Sequence, residues 1–64
     1  MYPDIHSRTE YDNKMEQAEL AVERKDWATA LMYLQACQNY AEAHGMRTDY
    51  IEMKIRDVRK MRGY

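Results

Sequence analysis

The segment from residue 27 to residue 43 reads as an α-helix whose apolar residues cover more than half of its circumference. One apolar face recurs at steps of three and four residues and consists of Trp27, Ala30, Leu31, Leu34, Cys37 and Ala41. A neighbouring face consists of Tyr33, Ala36 and Tyr40, with Met32 and Ala43 beside it. A helix with this much apolar surface has to lie between other helices. The chain is therefore expected to fold around this segment.

The length of the chain predicts a single helical domain over residues 1–64. Sixty-four residues are close to the lower limit at which one hydrophobic core supports folding unaided. The one cysteine, Cys37, excludes a disulfide within the chain, so self-association is the expected additional support. The sequence has no apolar run of about 18 residues for a membrane span and no signal-peptide pattern at its N-terminus. We therefore expect a cytoplasmic protein without a membrane contact.

Capping signals divide the chain into three helices. Residues 1–6 are expected to form a flexible arm, because Pro3 disfavours helix at the residue before it. The capping-box spacing of Ser7 and Glu10 predicts a helix over about 8–24, and Asp26 predicts an N-cap for a helix over 27–43. Gly45 is a strong stop signal, and a third helix is expected over about 48–62, capped by Thr48 or Asp49.

The apolar spacing within these segments predicts how they pack. The first helix carries the stripe Tyr11, Met15, Ala18 and Val22, and the third carries Ile51, Ile55 and Val58, with Tyr50 and Met61 on its border. Because almost no loop separates the first two helices, they are expected to form an antiparallel hairpin. No segment shows the alternation of a strand. The predicted fold class is all-α, a three-helix bundle made of this hairpin and a C-terminal helix.

Charge is distributed unevenly along the chain, although the net charge is only −1. Residues 1–45 hold eight acidic and four basic residues, whereas residues 46–64 hold six basic and three acidic residues. An acidic first helix and a basic last helix are expected to attract each other within the bundle or across a dimer.

No constellation of residues indicates catalysis or metal binding. Cys37 and His44 lie two helical turns apart, about 10 Å along the axis, which is too far for a nucleophile and its base. The stripe of carboxylates on the first helix, Asp12, Glu16, Glu19 and Glu23, is typical of a solvated face. We therefore predict no enzyme, no catalytic residue, no cofactor and no metal.

Residues 14–43 resemble a single tetratricopeptide-type helical hairpin. The resemblance is carried by the turn Lys25-Asp26-Trp27, by Ala18 in the first helix, and by Ala30-Leu31, Leu34 and Cys37 in the second. It implies a helical hairpin that binds other proteins. It also implies that the third helix acts as a cap, or that a second chain completes the stack, since one such repeat cannot bury its own faces.

These patterns predict a small protein–protein interaction module, an adaptor or an inhibitor of a partner protein, that also forms a homo-oligomer. Its size is typical of a phage- or plasmid-encoded host modulator. The Trp27 face is expected to pack on the first helix, which leaves the tyrosine face for the third helix or for a partner. The predicted interface residues are Tyr33, Ala36, Tyr40, Leu20 and Met32.

A DNA-binding regulator related to helix-turn-helix proteins is the alternative hypothesis. Its candidate nucleic-acid contacts are the basic residues of the last helix, Lys54, Arg56, Arg59, Lys60 and Arg62. The net negative charge and the acidic first helix make a nucleic acid the less favoured partner.

Overall fold

The computed structural model describes residues 5–63 and consists of three α-helices. Helix α1 spans Arg8–Glu23, α2 spans Trp27–Ala43 and α3 spans Asp49–Arg62. No strand occurs in this range, and the predicted all-α three-helix fold is confirmed. Each helix begins and ends within one residue of its predicted boundary. The predicted arm falls largely on residues 1–4, which lie outside the described residues.

Helix α1 begins with half of the predicted capping box. The Glu10 backbone N–H donates to Ser7 Oγ at 3.2 Å, as the spacing of the two residues predicts. A full capping box would also have the Glu10 carboxylate accept from the Ser7 backbone N–H. This half of the prediction is wrong, because the carboxylate accepts from the backbone N–H of His6 at 3.1 Å. Ser7 has an extended backbone, with φ −147° and ψ 164°, and the carboxylate reaches the N–H one residue before it.

A single tight turn joins α1 to α2. The Asp26 N–H donates to the Ala21 carbonyl at 2.8 Å and the Lys25 N–H donates to the Val22 carbonyl at 3.0 Å, which is the Schellman pattern. Lys25 takes the left-handed conformation, with φ 61°, that glycine usually occupies in this motif. The Asp26 carboxylate then accepts from the Thr29 N–H at 3.4 Å and caps α2. One residue thus closes α1 and starts α2, which makes the hairpin connection short.

The turn after α2 has the same design with a glycine in the left-handed position. Gly45 has φ +66°, and the Met46 N–H donates to the Ala41 carbonyl at 2.8 Å. Thr48 occupies the N-cap position of α3, but its hydroxyl makes no capping hydrogen bond. Met46 packs partly against the core and ties the connection to the bundle.

Small side chains form the contact between α1 and α2. The buried residues of these two helices are, apart from Tyr11 and Leu34, only alanine and cysteine: Ala18, Ala21, Ala30, Ala36, Cys37 and Ala41. Larger side chains of the same helices pack around these small residues and are only partly buried: Met15, Val22, Trp27, Leu31, Tyr33 and Tyr40. Ala21 is a buried position that the predicted stripe of α1 does not contain.

Helix α3 packs on α2 and barely touches α1. It contributes the branched residues Ile51, Ile55 and Val58, which join the same core cluster as Leu34 of α2. Acidic α1 and basic α3 were predicted to attract each other, but no ion pair joins them within residues 5–63. The two ion pairs found there join Arg8 to Asp12 and Arg47 to Asp49.

Candidate protein-binding surfaces

The tyrosine face of α2 lies partly against α1. The ring centroids of Tyr40 and Tyr11 are 5.3 Å apart, and the Lys14 ammonium lies 5.5 Å from the centroid of the Tyr33 ring. Both tyrosines of α2 are half-buried and pack against the core. Helix α1 therefore covers more of α2 than the Trp27 face that the sequence pattern assigns to it.

The other three predicted interface residues have different surroundings. Ala36 is buried but does not belong to the core cluster. Met32 is half-buried and lines a groove between α2 and α3, whereas Leu20 on α1 is 36% exposed. Because Met32 faces the α3 side of α2 and the tyrosines contact α1, the predicted set does not form one continuous exposed surface.

The basic residues of α3 are divided between two sides of the helix. Three arginines, Arg56, Arg59 and Arg62, line the groove between α2 and α3. This groove consists of two adjoining hollows of about 310 Å³ each, which share Gln35, Ile55 and Arg59. Lys54 instead lies 5.7 Å from the centroid of the Tyr50 ring, and Lys60 is exposed.

The largest exposed hydrophobic side chains of α3 lie on one side of the helix. Tyr50, Met53 and Met61 are 46%, 49% and 48% exposed, and we call these three residues the α3 strip. Their spacing of three and then eight residues places them within about a quarter of a turn of one another. Tyrosine and methionine are enriched in protein interfaces, and methionine adapts its shape to a partner. The α3 strip is thus a candidate protein-binding surface.

The predicted interface omits the α3 strip. Tyr50 and Met61 are the border of the predicted core stripe, and Met53 has no role in that prediction. The sequence did contain a signal for this surface. Helix α3 carries more large apolar residues than the one face that packs against the hairpin can bury: Tyr50, Ile51, Met53, Ile55, Val58 and Met61.

A hydrogen bond between α1 and α3 holds one end of the strip. The Tyr50 hydroxyl donates to Glu19 Oε1 at 2.7 Å. This bond raises the pKa of the Tyr50 phenol, because the proton is shared with a carboxylate, and burial raises it further. Tyr50 therefore stays a neutral donor, and its ring is held between Glu19 and the Lys54 ammonium.

Cys37 lies in the centre of the hairpin and not at a reactive position. Its side chain is 0% exposed, and its thiol faces the Tyr11 carbonyl oxygen at 3.8 Å. Burial raises the pKa of the thiol to about 11. The His44 ring is occupied elsewhere, since it stacks on Tyr40 at 4.1 Å between centroids.

We expect the Cys37 thiol to be protected from thiol reagents near neutral pH. A pKa that is about two units higher lowers the thiolate fraction about a hundredfold, and exclusion of the reagent slows the reaction further. The measurement is the rate of disulfide exchange with an aromatic disulfide reagent, with the denatured chain as control. Equal rates in the folded and the denatured chain would contradict this burial.

Comparisons with models of protein families, with curated proteins and with solved structures give no significant match. None of the helices within residues 5–63 is both long and apolar enough to cross a membrane. In the same range no group of three histidine, cysteine, aspartate or glutamate residues is arranged to hold a metal ion.

Proposed function

We propose that this chain is a small protein–protein interaction module that binds through the α3 strip and acts as an adaptor or inhibitor. The observation that carries the proposal is that α3 leaves three large hydrophobic side chains about half exposed on one side. A helix presenting such residues in a row is suited to pack against a partner, as in other helix-mediated complexes. We expect a binding rather than a catalytic function, in the cytoplasm.

The α3 strip supports this function better than the tyrosine face does. Tyr33 and Tyr40 already contact α1 through Lys14 and Tyr11, so a partner would meet only their remaining edges. The residues of the strip have about half of their surface free for a partner. Burial of apolar surface is the main favourable contribution to most protein association.

Site-specific photo-cross-linking in the cells that express the chain tests this proposal. A photoreactive phenylalanine analogue at position 53 is expected to trap a protein in a product of discrete mass. The same analogue at Asn39, which is exposed on α2, is the matched control and is expected to trap none. A product at Tyr33 alone, or products that do not differ between positions 53 and 39, would overturn the assignment to the α3 strip.

DNA binding stays the alternative proposal. The observation in its favour is the row of Arg56, Arg59 and Arg62 along one groove, spaced at steps of three residues. Binding to duplex DNA that weakens with added salt and disappears in Arg59→Glu would support it. Absence of such binding at low ionic strength would remove it.

A further inference from the structure

The side of α3 that carries the strip has a pattern that complements itself when its direction is reversed. Tyr50 and Met61 lie at equal distances on either side of the midpoint between Ile55 and Arg56. Lys54 and Asp57 lie at equal, shorter distances from the same midpoint. When the helix is turned end over end about this midpoint, Lys54 and Asp57 exchange places, and so do Tyr50 and Met61. A cation then stands where an anion stood, and one large hydrophobic residue stands where the other stood.

This pattern has a direct consequence for two antiparallel copies of α3. A two-fold axis through the midpoint places Tyr50 of each copy opposite Met61 of the other. The same axis places Lys54 of each copy opposite Asp57 of the other, so two equivalent ion pairs form at the centre of the contact. A two-fold contact uses the same patch on both chains, and it requires self-complementarity of this kind.

The ends of α3 favour the same arrangement. The first turn is acidic, with Asp49 and Glu52, and the last turn is basic, with Arg59, Lys60 and Arg62. In an antiparallel pair, the acidic turn of one helix lies beside the basic turn of the other, and the two helix dipoles oppose each other favourably. A parallel pair would place like charges together at both ends.

Asp57 and the apolar residues of the strip are exposed in the single chain, whereas Lys54 is half-buried beside the Tyr50 ring. Asp57 is exposed and makes no ion pair within residues 5–63. The three apolar residues of the strip are about half exposed. Leu34 is the one large aliphatic residue of α2 that is fully buried, and a core with so few large buried side chains is typical of domains that gain stability from a partner subunit.

We infer that the occupant of the α3 strip is a second copy of this chain, packed antiparallel across a two-fold axis at the centre of α3. This inference rests on the proposed function, because it names the partner of the same surface. A two-fold contact closes on itself, so the product is a dimer rather than a filament.

Charge reversal of the central pair tests the inference with the purified chain. In a dimer of Asp57→Lys, both central pairs become lysine–lysine pairs. In a dimer of Lys54→Asp, both become aspartate–aspartate pairs. Each single variant is expected to weaken the dimer about tenfold or more, because two attractive pairs become two repulsive ones. The measurement is sedimentation equilibrium over micromolar to millimolar chain concentrations, with circular dichroism to confirm that each variant is folded.

The two single variants together give the decisive result. In an equimolar mixture, each lysine of Asp57→Lys meets an aspartate of Lys54→Asp, so a heterodimer is expected to form at chain concentrations at which each variant alone is mostly monomeric. The double variant Lys54→Asp/Asp57→Lys restores both pairs and is expected to dimerise like the unmodified chain. A monomeric unmodified chain, single variants that dimerise normally, or a mixture that stays monomeric would each overturn the inference.

The photo-cross-linking experiment separates this inference from the proposed function. A product at position 53 with twice the mass of the chain supports the α3 strip as a protein-binding surface and the second copy as its occupant. A product that contains a different protein leaves the proposed function standing and contradicts the second copy as occupant. No product at position 53 contradicts the proposed function itself.

Discussion

Replacing Leu34 with alanine is expected to lower the free energy of unfolding by about 2–5 kcal/mol, the range for large-to-small substitutions in protein cores. Leu34 is 1% exposed and belongs to the cluster that joins α2 to both neighbouring helices. Apart from Tyr11, the other buried residues of α1 and α2 are alanines and a cysteine, whose short side chains are poorly suited to fill the space that the leucine leaves. A chain of this length has roughly 3–10 kcal/mol of total stability, so the variant loses a large part of it.

The matched control for this substitution is Leu20→Ala. It removes the same atoms from α1, but Leu20 is 36% exposed and lies outside the core cluster. Its expected effect is within about 0.5 kcal/mol, since alanine is also a good helix former. Both variants are measured by chemical denaturation, with the half-buried Trp27 as the fluorescence probe. Equal losses in the two variants would contradict the placement of Leu34 at the centre of the core.

Replacing Ala30 with leucine is expected to cost about 1–3 kcal/mol through overpacking of the hairpin. Ala30 is 0% exposed and belongs to the set of small residues between α1 and α2. A leucine there has no space unless the two helices separate, and separation would also expose Ala18 and Cys37. The unfolding midpoint should fall, and the Cys37 thiol should become more reactive in the folded variant.

The control for overpacking is Ala43→Leu. Ala43 is exposed at the end of α2, so the added atoms enter solvent and the expected change in stability is within about 0.5 kcal/mol. An Ala30→Leu variant with unchanged stability and a protected thiol would show that α1 and α2 are not in close contact at this position.

The helix boundaries were predictable because the interactions that set them are local. Ser7, Asp26 and Gly45 each act on backbone groups within a few residues of themselves. Even so, the capping box at Ser7 is only half formed, because the Glu10 carboxylate found a competing N–H donor at His6. The left-handed conformation of Lys25 was not predictable from the residue either, because lysine has no preference for it and the tight turn imposes it.

The sequence pattern and the structure suggest different candidate binding surfaces. The pattern of α2 indicated two adjacent apolar faces, and the tyrosine face was the one left for α3 or for a partner. In the structure α1 reaches this face through Tyr11 and Lys14. The surface left exposed lies instead on α3, at Tyr50, Met53 and Met61.

Local sequence alone dictated the three helices, the two tight turns and the all-α class, because capping and periodicity depend on residues that are close along the chain. Only the tertiary structure decided how the apolar circumference of α2 is shared between its neighbours. More than half of that circumference is apolar, so the sequence pattern does not distinguish between several arrangements of α1 and α3 that would bury it. The choice depends on how the small residues around Ala18 and Ala30 fit together, and it leaves the α3 strip exposed.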